Sequence, residues 1–209
     1  MRIVETFLSI QGEGLMIGRL TFFIRAAGCN LRCAWCDTKF SLDHKAGTDM
    51  TVDQLIEAVG STENVCFTGG EPLEQPDAAE LLQRLVDAGK TVVLETNGSK
   101  DLSDVPASER IIISMDIKCP SSGMQDRMCM SNLGILSMKD QLKFVISDRT
   151  DLIYAERFLE EHPVDTNIIF SPVGGMDLGF LAEEVVSKKL DVRVLPQLHK
   201  IIWGDKQGV

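Results

Sequence analysis

No cationic block interrupts this chain. Of its 209 residues, 21 are Lys or Arg and 31 are Asp or Glu, giving a formal net charge of −10. Direct binding to nucleic acid normally needs a basic footprint that neutralises phosphates, so a nucleic-acid partner is not expected. A small molecule or a neutral protein partner fits the charge better. Also missing is any run approaching the roughly 20 apolar residues that a membrane-spanning helix needs, so no membrane partner is expected. The opening MRIVETFLSIQGEG lacks a basic start followed by an apolar run. No secretory signal is read there, and a cytoplasmic location is expected. There is no low-complexity tract, no fixed-period repeat and no Pro/Gly/Ser linker. Residues 1–209 therefore read as a single domain, long enough to bury a core without disulfide staples.

What is present is cysteine in an unusual arrangement. Three of the six cysteines fall within AGCNLRCAWCDT, at Cys29, Cys33 and Cys36. In a reducing compartment, closely set thiols bind metal more often than they form disulfides. A structural zinc site wants four ligands, with Cys66, Cys119, Cys129 or His44 as the possible fourth. Structural zinc sites, however, usually draw ligands from paired C-x₂₋₄-C units. A cubane iron–sulfur cluster has four irons, and three thiolates leave the fourth open to an outside ligand. Cys66 lies in an apolar strand and reads as a buried core residue.

Apolar runs alternate with amphipathic segments along the chain. Strands are expected near 2–8, 20–26, 64–67, 91–95, 111–115, 142–146, 167–170 and 191–195. Helical patterns lie in TVDQLIEAV, where Thr51 and Gln54 have capping-box spacing, and in PDAAELLQRLVDAG, RTDLIYAERFLEEH and LGFLAEEVVSKK. Segments 97–110 and 119–140 read as irregular. Near-continuous Val/Ile strands alternating with helices point to α/β architecture: a parallel sheet, either a partial (open) βα barrel or an open α/β sheet. The polar segments AGCNLRCAWCDT, TGGEP, TNGS, SMDIK, SPVGG and PQLHK, four of them glycine-bearing, each leave the end of a strand. In such folds the loops at the carboxyl ends of strands meet on one face, so these six are expected to share a site.

C-x₃-C-x₂-C with an aromatic residue, Trp35, before the last cysteine resembles the signature of radical S-adenosylmethionine enzymes, and TGGEP resembles their glycine-rich motif. FLSIQGEG, FIRAAGCNL, CDT and QLHK together resemble the 7-carboxy-7-deazaguanine synthase family, from Phe7 to Lys200. The resemblance implies a radical SAM fold and a carbon–nitrogen lyase that contracts the ring of 6-carboxy-5,6,7,8-tetrahydropterin with loss of ammonia, on the route to queuosine or archaeosine. It implies a 4Fe-4S cluster on Cys29, Cys33 and Cys36, S-adenosyl-L-methionine on the open iron, and Mg²⁺ at Thr38. It also implies a homodimer and a flavodoxin- or ferredoxin-like electron donor. Cofactor contacts would come from Trp35, Asp37, Gly70, Glu71, Ser114, Asp116, Ser171 and Gly174, with Glu71 accepting from the methionine ammonium. Substrate contacts would come from Ile10, Gln11, Gly12, Glu13, Arg25, Thr68, Gln197 and His199.

Those residue types suit a pterin. Gln11 both donates and accepts, Glu13 accepts from ring N–H and NH₂ groups, and Arg25 can fork onto a carboxylate. Two features depart from some relatives. Ile201 to Val209 follow the Gln-x-His-Lys motif, and SMDIK stands where others carry Ser-Pro-Lys. The competing readings are an activating protein for glycyl-radical enzymes, which shares the cysteine loop, and a non-catalytic electron carrier or zinc module.

Overall fold

The computed structural model describes residues 1–175 and 177–209. Its frame is one nine-stranded sheet. Strand β1 (Arg2–Ile10) pairs antiparallel with β2 (Leu20–Ala26) and, on its other side, with the two-residue β3 (Thr48–Asp49). From β2 onward every pairing is parallel, through β4 (Asn64–Gly69), β5 (Thr91–Thr96), β6 (Ile111–Ile117), β7 (Gln141–Ile146), β8 (Asn167–Pro172) and β9 (Arg193–Val194). The order β3-β1-β2-β4-β5-β6-β7-β8-β9 leaves both edges unjoined, so the sheet is an open barrel. The parallel expectation misses β1 for a simple reason: residues 11–19 are too few for a crossover and suffice only for a hairpin.

Four helices cover one face: α1 (Val52–Val59), α2 (Ala78–Asp87), α3 (Arg149–Glu161) and α4 (Gly179–Lys188). The capping box of α1 forms as its spacing predicts. Gln54 N donates to Thr51 Oγ1 at 3.2 Å and Thr51 N to Gln54 Oε1 at 2.9 Å. Alternate strand residues, among them Ile24, Phe67, Leu94, Ile113, Phe144 and Phe170, meet Leu55, Leu81, Leu85, Leu152 and Phe158 in the main core. Strand period two sends their neighbours to the opposite face, which none of these four helices covers.

Among the described residues, two of the connections between parallel strands lack an α-helix. Residues 97–110 are irregular, and the stretch after β6 forms three short 3-10 turns at Pro120–Ser122, Gln125–Arg127 and Met130–Gly134. Asn132 joins the two connections, donating to the carbonyls of Gly98 at 3.3 Å and Lys100 at 2.7 Å while accepting from Leu102 N at 3.1 Å. The irregular stretch is thus a buttress for the loop after β5. A fifth helix, α5 (Leu198–Trp203), stands where PQLHK reads as a loop. It is short, and tertiary contacts anchor its start: Leu198 N donates to Gly12 O at 2.8 Å, and Gln197 N to Gly175 O at 2.7 Å.

Candidate active site

On the uncovered face, the loops at the carboxyl ends of the strands surround a cleft of ≈ 330 Å³, within the range of about 300–1,000 Å³ typical of small-molecule sites. Cys29, Cys33 and Cys36 all line it, Cys29 buried and the other two half-buried. None of the proposed fourth zinc ligands joins them. Cys66 lies under the cleft floor between Phe23 and Val93, Cys119 belongs to the main core, Cys129 contacts Ser131, and His44 packs against Gly28.

Burial raises the Cys29 thiol above its ordinary pKa. The Cys33 thiol is raised too, by burial first, with Asp116, Cys36 and Cys29 adding to it and the Lys118 cation opposing. Among the described residues no three His, Cys, Asp or Glu side chains are drawn together tightly enough for a single ion, so the thiols face a shared space without meeting at one point. Three soft donors spread around one space, with a cation beside them, fit a thiolate-held iron–sulfur cluster. The approach to that space is narrow at Gly70, where a Cβ would run into the Gly28 carbonyl and Cys29 Cβ.

Around the thiols the expected cofactor residues fall into two groups. Trp35, Asp37, Gly70, Asp116, Ser171 and Gly174 line the cleft. Trp35 Nε1 donates to Ser121 Oγ at 2.9 Å, and its ring lies 5.5 Å from Lys118 Nζ. Burial works to raise the Asp37 pKa, but the Thr38 hydroxyl, donating at 2.9 Å, and Lys200 Nζ at 3.6 Å hold the carboxyl below its usual range.

Glu71 and Ser114 do not line the cleft, contrary to expectation. Glu71 is wholly buried and turned into the protein. Its Oε1 accepts from Leu73 N at 3.1 Å and Thr96 Oγ1 at 2.9 Å, and its Oε2 from Asn97 N at 2.7 Å. Burial outweighs those donors and pushes its pKa up to about 7. A carboxylate that ties the TGGEP loop to the TNGS loop has no oxygen turned to a ligand. Ser114 is covered by Gln141, whose Nε2 donates to it at 2.6 Å while its Oε1 accepts from Leu15 N at 2.7 Å.

The expected substrate residues Ile10, Gln11, Gly12, Glu13, Arg25, Thr68, Gln197 and His199 all line the cleft, as does Thr38. Gln11 Nε2 donates to Glu95 Oε1 at 3.3 Å. Gly12 lies so close to the His199 ring that a Cβ there would collide with it. Arg25 Nε pairs with Glu5 at 2.8 Å, and its guanidinium carbon lies 5.8 Å from the Phe7 ring and 5.9 Å from that of Phe40. Its two terminal nitrogens have no hydrogen-bond partner among the described residues. The chain end also returns: Gly204 to Val209 line the same cleft.

Four functional candidates escaped the sequence reading: Glu95, Lys118, Lys143 and the covering Gln141. Lys143 is the centre of a buried charge chain. Its Nζ is 2.5 Å from Glu13 Oε2 and 3.2 Å from Asp116 Oδ1; Asp116 also takes Lys118 Nζ at 2.6 Å, and Glu13 takes Gln197 Nε2 at 2.6 Å. Burial opposes ionisation of all four charges. Yet the two lysines hold Asp116 below its ordinary value, and Asp116 and Glu13 hold Lys143 well above its own. The signal for Lys143 lay in QLKFVI, where it alternates with Leu142 and Phe144 and must face away from the core.

The family model of the radical SAM superfamily matches residues 23–128. A 7-carboxy-7-deazaguanine synthase of Thermoplasma acidophilum is 43% identical over 100% of both chains. One from Methanospirillum hungatei is 44% identical over 97% of this chain and 85% of its own. The crystal structure of QueE from Escherichia coli superimposes with a TM-score of 0.74 at 22% identity, covering 95% of this chain and 94% of that one, and shows the same fold.

Proposed function

The chain belongs to the 7-carboxy-7-deazaguanine synthase family of radical SAM enzymes, and we infer that its cleft contracts the ring of 6-carboxy-5,6,7,8-tetrahydropterin to 7-carboxy-7-deazaguanine with release of ammonia. The observation that carries this reading is the convergence of three cluster-type thiols and a separate polar, charged half-site on one cleft. Cys29, Cys33 and Cys36 would hold the cluster, with S-adenosylmethionine beside Trp35, Asp37, Gly70, Asp116 and the Ser171–Gly174 loop. When bound, these groups supply the electron and the radical that removes hydrogen from the substrate.

The protein's own residues bind and orient. Arg25, with its terminal nitrogens available, pairs with the substrate carboxylate. Gln11, Glu13 and Glu95 meet the amide and amino-pyrimidine edge, whose donors need acceptors. Lys143 bridges Glu13 and Asp116, so the substrate and cofactor halves share one cation. Mg²⁺ at Thr38 belongs to the same reading, since Mg²⁺ keeps most of its waters and takes few protein ligands. The single-domain reading of residues 1–209 is supported by one sheet that includes every strand. Cys33 and Cys36, half-exposed, leave the cluster open to a flavodoxin- or ferredoxin-like donor. Exposed Leu8 and Leu20 on the β1–β2 hairpin support a homodimer. Among the described residues no helix is long and apolar enough to cross a membrane. The activating-protein reading is not favoured, because full-length relatives are synthases.

The test is anaerobic turnover of reconstituted protein with the carboxytetrahydropterin, S-adenosylmethionine, Mg²⁺ and a strong reductant, read by mass spectrometry. Product lacking one ammonia, without stoichiometric 5′-deoxyadenosine, is expected. Deoxyadenosine formed with the pterin untouched would overturn the assignment.

A further inference from the structure

Cys29 is held differently from the other two cleft thiols. Its Sγ accepts from Leu31 N at 3.4 Å and from the Asn97 side-chain Nδ2 at 3.6 Å. Among the described residues neither Cys33 Sγ nor Cys36 Sγ receives an N–H. Asn97 comes from the TNGS loop after β5, remote in sequence from the cysteine loop, and it is buried.

Its orientation is over-determined. Ser99 N can only donate, and it donates to Asn97 Oδ1 at 2.9 Å, so the amide nitrogen must point the other way, toward Cys29. A closed ring then locks it. Asn97 Nδ2 donates to Asn30 Oδ1 at 3.1 Å, Asn30 Nδ2 to Ser99 Oγ at 2.7 Å, and Ser99 Oγ back to Asn97 Oδ1 at 2.6 Å. The backbone N of Asn97 is fixed separately by Glu71. One amide hydrogen completes the ring and staples the two loops; the staple does not need the second, which is aimed at sulfur.

We propose that Asn97 is a positioning residue that sets the reduction potential of the iron–sulfur cluster through its N–H on the Cys29 thiolate. The inference rests on the cluster assignment above. Reduction adds one electron from an external reductant and breaks no protein bond. An N–H donor to a ligating sulfur stabilises the more negative, reduced form and so raises the potential.

The test is a spectroelectrochemical titration of the reconstituted protein, with the reduced cluster followed by electron paramagnetic resonance and iron and sulfide measured in parallel. Asn97→Asp keeps the acceptor for Ser99 and turns an oxygen toward the sulfur. It is expected to hold a full cluster and to show about tenfold less reduced cluster at a fixed potential, a fall of ~59 mV for a one-electron couple. Asn97→Ala should shift the same way by less. Ser99→Ala, which opens the ring and leaves the sulfur contact, should shift least. An unchanged midpoint in both Asn97 variants overturns the proposal, as does a Ser99→Ala shift as large as that of Asn97→Ala. Loss of the cluster from both Asn97 variants, with wild type loaded, overturns it in favour of a role in assembly. Failure of the wild-type chain to hold a 4Fe-4S cluster would instead strike the family reading on which the proposal stands.

Discussion

Neighbouring residues on the same strands do opposite work. On β4, Phe67 packs under the helices while Thr68 lines the cleft; on β5 the pair is Leu94 and Glu95; on β7 it is Phe144 and Lys143. The helix face is apolar and close-packed, with Phe144 meeting Phe158 and Phe170 edge-on at 5.6 Å each. The cleft face carries charge almost to its floor, and burial is tolerated only because each charge has a partner, as in Glu13–Lys143–Asp116. One backbone period thus separates stability from chemistry, and the two faces should fail in different ways when altered.

The largest effect is expected on the cleft face at no cost to the fold. Cys33→Ala should abolish both cluster and turnover while circular dichroism and thermal unfolding of the cluster-free protein stay as in wild type; an intact cubane with full activity would break the comparison. Next comes its mirror on the helix face. Phe144→Ala should lower stability by about 3–5 kcal/mol, measured by denaturant titration, because the buried ring leaves a cavity between two aromatic partners. Arg25→Ala should spare cofactor binding and raise the substrate KM by about 10–100-fold, corresponding to the ~1.5–3 kcal/mol of a charged hydrogen bond. An unchanged KM would remove Arg25 from the substrate site.

The smallest effect belongs to Glu71, buried where the TGGEP loop meets the TNGS loop. Its folded pKa of about 7 lies above its ordinary 4.5. Its contribution is therefore fully present below pH 4.5 and fades as pH rises through about 7, since over that window the folded state binds more protons than the unfolded one. Cluster-free wild type should lose stability across this window, and Glu71→Gln should flatten that slope. An identical slope in the variant would show that Glu71 does not titrate there.

Much of this was legible beforehand because the relevant signals are local. The strands expected at 20–26, 111–115 and 142–146 announce themselves as short apolar runs and form as Leu20–Ala26, Ile111–Ile117 and Gln141–Ile146, and the α1 capping box announces itself as Thr51 with Gln54. Helix α5 was not legible, since a six-residue segment lacking a side-chain cap depends on the contacts that Gln197 and Leu198 make with Gly175 and Gly12. Glu71 was misplaced because GGEP reads identically whether its carboxylate turns to a ligand or to the backbone of the next loop. Ser114 was misplaced because its cover, Gln141, comes from a different strand.

What the sequence alone determined is the chemistry that spacing encodes: three thiols within one loop, the alternation that makes a parallel sheet, and the order of glycine-bearing segments after strands. These survive without coordinates because hydrogen-bond geometry and side-chain period act over a few residues. Only the tertiary structure decided which charges meet. Lys143 between Glu13 and Asp116, and Asn97 on Cys29, join residues far apart in sequence. The energy of a buried ion or amide depends on partners that a linear reading cannot place.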